Sequence, residues 1–158
     1  MAPSPEPQPV QPSGPVLVDT GVWTWVRDRR FPHLATWFNG LVQEGLVLVC
    51  DLVVLELVRM APNAARAAQV ANQLALFASI SLPPSGWRDS RATQLLLAGD
   101  DGAHRRVPPV DLLIAETARA AAVPLLHYDR DYERIASVTD LDQRWFVPDG
   151  SLRPPPRP

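Results

Sequence analysis

The stretch PVLVDT, residues 15–20, decides how the rest of the chain is interpreted. Its aliphatic residues Val16, Leu17 and Val18 are typical of a strand that is buried on both faces. Asp19 follows directly at the end of that strand, although Asp is disfavoured in strands and is rarely buried without a partner. Asp19 therefore either caps a following helix or belongs to a polar site at the edge of a sheet.

Other apolar segments of the chain have the same character as this first strand. LVLVC (46–50) and VPLLHYD (123–129) are predicted as buried strands, SISL (79–82) as a short strand and RWFVP (144–148) as an edge strand. Helical patterns lie between the strands, around Val22 to Val26 and in the segments 33–45, 52–60 (with Asp51 as N-cap), 64–78, 87–98, 111–122 and 130–136. This alternation predicts βαβ units, and therefore a parallel sheet covered by helices on both faces.

Composition limits the classes of protein to which the chain can belong. Its 158 residues suffice for one domain with a sizeable core. The net charge of −2 provides no overall basic field for nucleic acid, although it allows a local basic groove. All 15 basic side chains are arginines, which excludes chemistry that requires a lysine ammonium. Cys50 is the single cysteine, so no internal disulfide can form.

The two ends of the chain differ in composition from the middle. Residues 1–14 and 149–158 are rich in proline and lack periodicity. We therefore expect a flexible arm and a C-terminal tail on either side of a domain at 15–148. The sequence contains no signal-peptide pattern and no apolar stretch that could span a membrane, so a cytoplasmic location is expected.

Three further acidic residues could meet Asp19 at one edge of the sheet. Asp129 ends a predicted strand, as Asp19 does, and ligands bind such sheets at the carboxyl ends of the strands. Glu56 lies beside the apolar stripe of its predicted helix, and Asp111 opens another helix. Each has an ordinary explanation too, because Glu56 can pair with Arg59 and Asp111 can offset the helix dipole.

Acids that cluster in a cleft repel one another unless a cation joins them. A hard divalent cation binds oxygen ligands and completes its shell with waters and substrate phosphates. The sequence has no cysteine or histidine cluster that would suit a softer metal. The pattern therefore predicts an oxygen-ligated site for Mg²⁺, with Mn²⁺ as a possible substitute.

Four segments in this order, VLVDTGVW, LELVR, VDLLIAETA and LLHYDRDYERIA, resemble the PIN domain, specifically the VapC-type toxins of bacterial toxin–antitoxin pairs. The resemblance covers about residues 16–147. It implies a three-layer α/β/α fold with a central, mostly parallel sheet of about four to five strands and an acidic Mg²⁺ site. The implied activity is endoribonuclease cleavage of RNA, inhibited by a cognate VapB-type antitoxin. A homodimer that forms a hetero-oligomer with the antitoxin is the implied assembly.

The resemblance also implies roles for individual residues. The catalytic and metal-binding acids that it implies are Asp19, Glu56, Asp111 and Asp129, with Asp131 as a close alternative or helper. We expect Asp19 and Asp111 to anchor the main ion. Glu56 is expected to orient or deprotonate the attacking water, and Asp129 to complete a second metal position.

Arginines near these acids are candidate RNA contacts. Arg27 follows the first predicted helix, and Arg105 and Arg106 lie in the loop that precedes the helix of Asp111. Their guanidinium groups could bind RNA phosphates. Trp23 or Trp25 could stack on an unpaired base, although helical spacing favours a core position for Trp23.

Other classes of protein also place an acid after an apolar strand. Haloacid-dehalogenase-like phosphatases and phospho-receiver domains do so, but both rely on a lysine, which this chain lacks. DNA nucleases of the flap-endonuclease type share the sheet and the acids but usually need a longer chain. The main alternative is a PIN fold that binds RNA without cutting it, and an RNA cleavage assay with Mg²⁺ and with EDTA separates it from a nuclease.

Overall fold

The computed structural model contains a five-stranded sheet in which every strand pair is parallel. Residues 6–99 and 102–153 are described. The strands are β1 (Val16–Val18), β2 (Val47–Val49), β3 (Ala78–Ser79), β4 (Leu125–His127) and β5 (Gln143–Trp145). Their order across the sheet is β3-β2-β1-β4-β5, with β1 in the centre. The predicted parallel sheet is therefore confirmed, and β5 is an edge strand as expected.

The register of the central strands places the residues that follow β1 and β4 side by side. Leu17 pairs with Leu125 and Val18 with Leu126. The backbone N–H of Asp19 then donates to the carbonyl oxygen of Leu126 at 3.0 Å. Every residue of β1, β2 and β4 is buried, because strands covered on both faces have no solvent side. The two strand ends are thus fixed next to each other.

Seven helices flank the sheet in a three-layer α/β/α arrangement within the described residues. They are α1 (Thr20–Trp25), α2 (Pro32–Gln43), α3 (Asp51–Arg59), α4 (Ala64–Leu74), α5 (Gly86–Ala98), α6 (Pro109–Ala120) and α7 (Asp131–Ser137). Proline at the first position of α6 suits a helix start, because its missing N–H would have no helical partner there. Buried residues Leu112 to Ala118 pack α6 into the centre of the domain, against α3, α5 and α7.

Some element boundaries differ from those predicted. Helix α3 begins at Asp51 itself, and Cys50, not Asp51, is its N-cap residue. Strand β3 has two residues and begins one residue before the predicted strand at 79–82. Both of its residues are exposed, so no buried apolar face fixes its limits. Helix α4 ends at Leu74, which leaves Phe77 outside it.

The described part of the predicted N-terminal arm, residues 6–14, contains no helix or strand but contacts the domain. The backbone N–H of Val10 donates to the carbonyl oxygen of Phe146 at 2.8 Å. The carbonyl oxygen of Val10 accepts the indole N–H of Trp37 at 2.9 Å. Both polar groups of this backbone unit are therefore bonded to the domain, one beside the sheet edge and one on α2.

The described part of the predicted C-terminal tail also contacts the domain. Leu152 is buried, and its backbone N–H donates to the hydroxyl oxygen of Tyr128 at 2.8 Å. The outer parts of the predicted arm and tail, residues 1–5 and 154–158, lie outside the described residues. Among the described helices, none is long and apolar enough to cross a membrane.

Candidate functional site

Asp19 lies between the end of β1 and the start of α1, where it is only 6% exposed. Its Oδ2 accepts the backbone N–H of Gly21 at 3.1 Å, which caps α1. Its Oδ1 accepts the hydroxyl of Tyr132 at 2.7 Å. Burial raises the pKa of Asp19 to about 6, although these two hydrogen bonds favour the ionised form. Asp19 therefore caps α1 and also contacts a residue 113 positions away in the sequence.

Three other acids approach one another closely, and we call Asp111, Asp129 and Asp131 the acidic cluster. One carboxylate oxygen from each lies within 4.8 Å of the other two. Asp111 is in the first turn of α6, Asp129 is in the turn after β4, and Asp131 begins α7. Asp129 Oδ1 accepts the backbone N–H of Asp131 at 2.9 Å, which fixes that turn. Oxygens at such separations could share one hard cation.

The charges at this edge of the sheet act strongly on Asp111. Burial, followed by the charges of four neighbouring acids, raises the pKa of Asp111 to about 8. The largest of these charge effects comes from Asp19, so Asp19 is electrostatically coupled to the acidic cluster. Within the described part of the chain, Asp131 is the one acid of the group that has an ion-pair partner, Arg134. Carboxylate oxygens with excess negative charge are a donor set that fits Mg²⁺ or Mn²⁺.

Glu56 reaches the same region from α3. Its Oε2 accepts the hydroxyl of Thr20 at 2.7 Å, although the two residues are 36 positions apart. The residue as a whole is partly exposed. Thr20, rather than Arg59, is therefore the bonded partner of Glu56 among the described residues.

A buried histidine supports the turn that carries Asp129. His127 Nδ1 accepts the backbone N–H of Asp129 at 3.1 Å, and its Nε2 lies 2.5 Å from Gln143 Oε1. An accepting Nδ1 requires the proton on Nε2, so the tautomer is assigned from these hydrogen bonds. Burial lowers the pKa of His127, which favours the neutral ring. The imidazole thus links β5 to the turn after β4.

No pattern in the sequence marks Tyr132 or Gln143 as part of this site. Tyr132 is 113 positions from Asp19, and Gln143 is 16 positions from His127. Burial and the nearby acids raise the pKa of Tyr132 well above its ordinary value, so its hydroxyl remains a hydrogen-bond donor. Contacts of this kind arise only when the folded chain brings distant positions together, and a local pattern cannot reveal them.

The closest grouping of acids differs from the pair expected to anchor the ion, Asp19 and Asp111. The three oxygens that meet belong to Asp111, Asp129 and Asp131, so the residue expected as a helper lies inside the group. Asp19 lies outside that group of three but influences the charge of Asp111. Which of these carboxylates bind a metal stays a prediction.

The three predicted RNA-binding arginines have exposed side chains. Arg105 ends a 3-10 turn that precedes α6, and Arg106 follows it. Arg27 follows α1, and its guanidinium carbon lies 5.7 Å from the ring centroid of Trp23. Arg27 also shares the lining of a cavity of about 220 Å³ with Arg66. These positions are compatible with binding an extended anion, and that role stays a prediction.

The two tryptophans considered for base stacking have different environments. Trp23 is 4% exposed, and its indole N–H donates to the carbonyl oxygen of Val18 at 3.3 Å. It belongs to the core, as its helical spacing indicates, and is not available to stack on a base. Trp25 is partly exposed, and its ring packs edge-to-face against Phe31 and Tyr128.

Comparison with solved structures supports the description of the fold. A DNA-bound VapBC complex from Salmonella typhimurium contains a chain that aligns with a TM-score of 0.62 at 16% identity, covering 83% of this chain and 97% of that one. VapBC2 from Rickettsia felis, bound to a promoter DNA fragment, aligns with a TM-score of 0.59 at 15% identity, covering 82% of this chain and 96% of that one. At these identities the likeness concerns the fold alone.

Comparison of sequences identifies the family. The PIN-domain family model matches residues 16–138. Ribonuclease VapC18 of Mycobacterium tuberculosis is 30% identical over 136 residues, covering 85% of this chain and 97% of the relative. Ribonuclease VapC51 of the same organism is 30% identical over 136 residues, covering 86% of this chain and 96% of the relative. The chain therefore belongs to the PIN-domain family.

Proposed function

We propose that this protein is an endoribonuclease that hydrolyses RNA phosphodiester bonds with bound Mg²⁺, which Mn²⁺ can replace. The observation that carries the proposal is the convergence of five acids from four separate parts of the chain. Asp19 and Glu56 flank Thr20, and the acidic cluster supplies the other three. The names of the relatives, which are called ribonucleases and match almost along their whole length, support the same activity.

The acidic cluster and Asp19 are the residues proposed to hold the ion. Their carboxylates provide several oxygens whose mutual repulsion a divalent cation relieves. A divalent ion in this position supplies two things: a lowered pKa of a coordinated water and neutralisation of phosphate charge. The hydroxyl of Tyr132 orients the Asp19 carboxylate, and the backbone N–H of Asp131 orients that of Asp129. His127 bonds the backbone N–H of Asp129 and so holds the turn that carries it.

Glu56 is proposed to act on the attacking water. The hydroxyl of Thr20 occupies Oε2, which leaves Oε1 to orient the water and accept its proton. The water oxygen forms a bond to phosphorus as the bond to the leaving ribose oxygen breaks, and that oxygen takes a proton from solvent. No serine, cysteine or lysine nucleophile of the protein takes part in this scheme.

Arginines beside the acids are proposed to bind the RNA strand. Arg105 and Arg106 lie six and five residues before Asp111 in the chain, and Arg27 lies beyond the helix that Asp19 caps. Arginine suits this task because its planar guanidinium can donate two hydrogen bonds to one phosphate. Base identity is not read by such contacts, so the RNA target must depend on the shape of the cleft.

We further propose that the protein is the toxin of a toxin–antitoxin pair in the cytoplasm. The solved neighbours are chains of VapBC complexes, and the sequence relatives are VapC proteins. A VapB-type antitoxin would then bind the toxin through a peptide segment that blocks the acidic cleft, and the toxin would form homodimers within a larger complex. Expression of the gene alone should arrest growth, and co-expression of an adjacent small gene should restore it.

The central test measures cleavage of single-stranded RNA. Wild-type protein with Mg²⁺ is expected to cleave, whereas EDTA, Asp19→Asn and Asp111→Asn should each lower the rate by more than about 100-fold, because metal ligands contribute more than the outer-sphere groups whose loss costs 10–100-fold. Asp140→Asn is a matched control, because Asp140 is an 85% exposed acid that pairs with Arg119 outside the site. Cleavage that survives EDTA and both site variants would refute the metal mechanism.

The same assay separates the nuclease from a non-catalytic RNA-binding module. A module would bind labelled RNA with an affinity that Arg27→Gln lowers, yet it would leave the RNA intact at every Mg²⁺ concentration. The convergence of acids favours the nuclease, since five carboxylates would repel the phosphates of an RNA that is only bound.

A further inference from the structure

Tyr132 connects two parts of the site: Asp19, which follows β1, and helix α7, which begins with Asp131. It is one of two tyrosines in the chain, and its side chain is completely buried. The hydroxyl donates to Asp19 Oδ1 at 2.7 Å, and the residue directly follows Asp131 in α7. A single side chain therefore fixes the distance between two parts of the acidic site that are far apart in sequence.

The tyrosine ring has little freedom to move. Its centroid lies 5.0 Å from the ring centroid of His127. His127 is itself held by the backbone N–H of Asp129 at 3.1 Å and by the Gln143 side chain at 2.5 Å. Because its neighbour is bonded at both ring nitrogens, the tyrosine hydroxyl is presented to Asp19 in one position.

This hydrogen bond determines the orientation of the Asp19 carboxylate. Oδ1 accepts from Tyr132 and Oδ2 accepts from the Gly21 N–H. An ionised carboxylate has about four acceptor positions, so one donor on each oxygen locks the plane of the group and still leaves acceptor positions for a cation. A phenylalanine in this place would fill the same space without fixing Oδ1.

We propose that Tyr132 is a positioning residue that orients Asp19 for binding of a divalent cation. This inference rests on the metal site of the proposed function. It assigns Tyr132 the role that outer-sphere groups have in metal proteins, in which they fix a ligand that they do not replace. Tyr132 itself does not touch the ion or the RNA.

The chain offers a matched control for the test. Tyr128 is the second tyrosine, and its hydroxyl is bonded to the backbone N–H and carbonyl oxygen of Leu152 at 2.8 and 3.3 Å. Tyr128→Phe removes a hydroxyl of the same kind that has two protein partners but no bond to an acid. Tyr132→Phe keeps the ring and its packing, so both variants are expected to fold.

The experiment is a calorimetric titration of metal-free protein with Mn²⁺ at pH 7.5, well below the melting temperature of the least stable variant. Tyr132→Phe should weaken Mn²⁺ binding by about tenfold, the lower end of the usual effect of an outer-sphere group. Tyr128→Phe should bind as the wild type does, and Asp111→Asn should lose saturable binding. In cleavage assays, the Mn²⁺ concentration for half-maximal rate should rise about tenfold in Tyr132→Phe, with the maximal rate largely restored at excess Mn²⁺.

The outcomes separate the inference from the function on which it rests. If wild-type protein binds Mn²⁺ and Tyr132→Phe binds it equally well, the positioning role is wrong and the metal site stands. Equal weakening in both tyrosine variants would indicate a general loss of stability and would also overturn the role. If the wild type shows no saturable binding, the metal site and the role fall together. A tenfold effect of Tyr132→Phe without RNA cleavage would support the inference and reject the nuclease.

Discussion

Replacing Asp111 with asparagine should stabilise the metal-free protein, and the gain should grow as the pH rises. In EDTA no cation offsets the charge of an ionised Asp111. Burial and the neighbouring acids then disfavour the ionised form and raise the pKa of Asp111 from 3.8 to about 8. Asparagine has nearly the same shape and carries no charge at any pH. The variant therefore removes the repulsion without leaving a cavity.

The sign follows from the order of the two pKa values. The folded-state pKa of Asp111, about 8, lies above its unfolded value of 3.8, so the folded protein binds the proton more tightly. The stability that belongs to the protonated form is fully present below pH 3.8 and is lost as the pH rises to about 8. Wild-type protein should therefore lose stability relative to Asp111→Asn across this window and no further above it.

The size of the effect on stability follows from the same shift in the pKa of Asp111. A shift of the pKa from 3.8 to about 8 corresponds to about 6 kcal/mol in a fully enclosed site. Asp111 is partly exposed, and solvent screening reduces such a value by roughly half, to about 3 kcal/mol. For a chain of this length, that difference in the free energy of unfolding corresponds to a difference in melting temperature of roughly 6–12 °C.

The assay is thermal or urea unfolding of wild-type protein and Asp111→Asn in EDTA at several pH values between 4 and 9. Asp140→Asn is the control, because the hydrogen bond from Arg119 lowers the pKa of the exposed Asp140 and reverses the sign of any trend. Excess Mn²⁺ should stabilise the wild type and Asp140→Asn, but not Asp111→Asn, by about 2.7 kcal/mol at 100 times the dissociation constant. A stability difference between wild type and Asp111→Asn that stays constant with pH would refute the electrostatic reasoning.

Three other substitutions test separate parts of the structure. Thr20→Val removes the hydrogen bond to Glu56 Oε2. A hydrogen bond to a charged acceptor contributes about 1.5 kcal/mol, so the maximal cleavage rate should fall roughly tenfold, while circular dichroism should show an unchanged fold. Arg27→Gln should weaken binding of single-stranded RNA to non-cleaving protein and reduce the slope of log affinity against log salt by about 0.7, the value for one phosphate contact, and Arg66→Gln should do the same because both residues line one cavity. Leu126→Ala, at a fully buried position of β4, should lower the free energy of unfolding by about 2–5 kcal/mol in a urea titration.

Each of these substitutions has a control or an outcome that would contradict it. Thr24→Val changes an exposed threonine one helical turn from Thr20, and a rate loss of equal size in both would reject the special role of Thr20. Arg91→Gln changes an exposed arginine of α5, and an equal change in salt slope would show that Arg27 acts only through net charge. A Leu126→Ala protein as stable as the wild type would be incompatible with a packed central sheet.

The sequence identified the elements whose signals are local. Val16–Val18 is an apolar strand followed directly by Asp19, and Leu125–His127 is a buried strand with Asp129 two residues after its end. Strands buried on both faces are nearly continuous apolar runs, which the sequence shows. Since the strands are parallel, their carboxyl ends meet at one edge, and the proximity of the acids at 19 and 129 follows from that geometry. The exposed strand at Ala78 has no such apolar run, and its limits were therefore predicted poorly.

Tertiary structure decided how the acids are grouped and what holds them in place. The sequence offered five carboxylates without indicating that the oxygens of Asp111, Asp129 and Asp131 come within 4.8 Å. It gave no sign that Tyr132 would meet Asp19, because a hydrogen bond between positions 113 residues apart depends on packing and not on local periodicity. Local sequence patterns indicated where the strands and helices lie and which acids stand at their ends. The distances and hydrogen bonds among the acids arise only when the sheet and the helices pack together, because ångström-scale placement is a property of the whole fold.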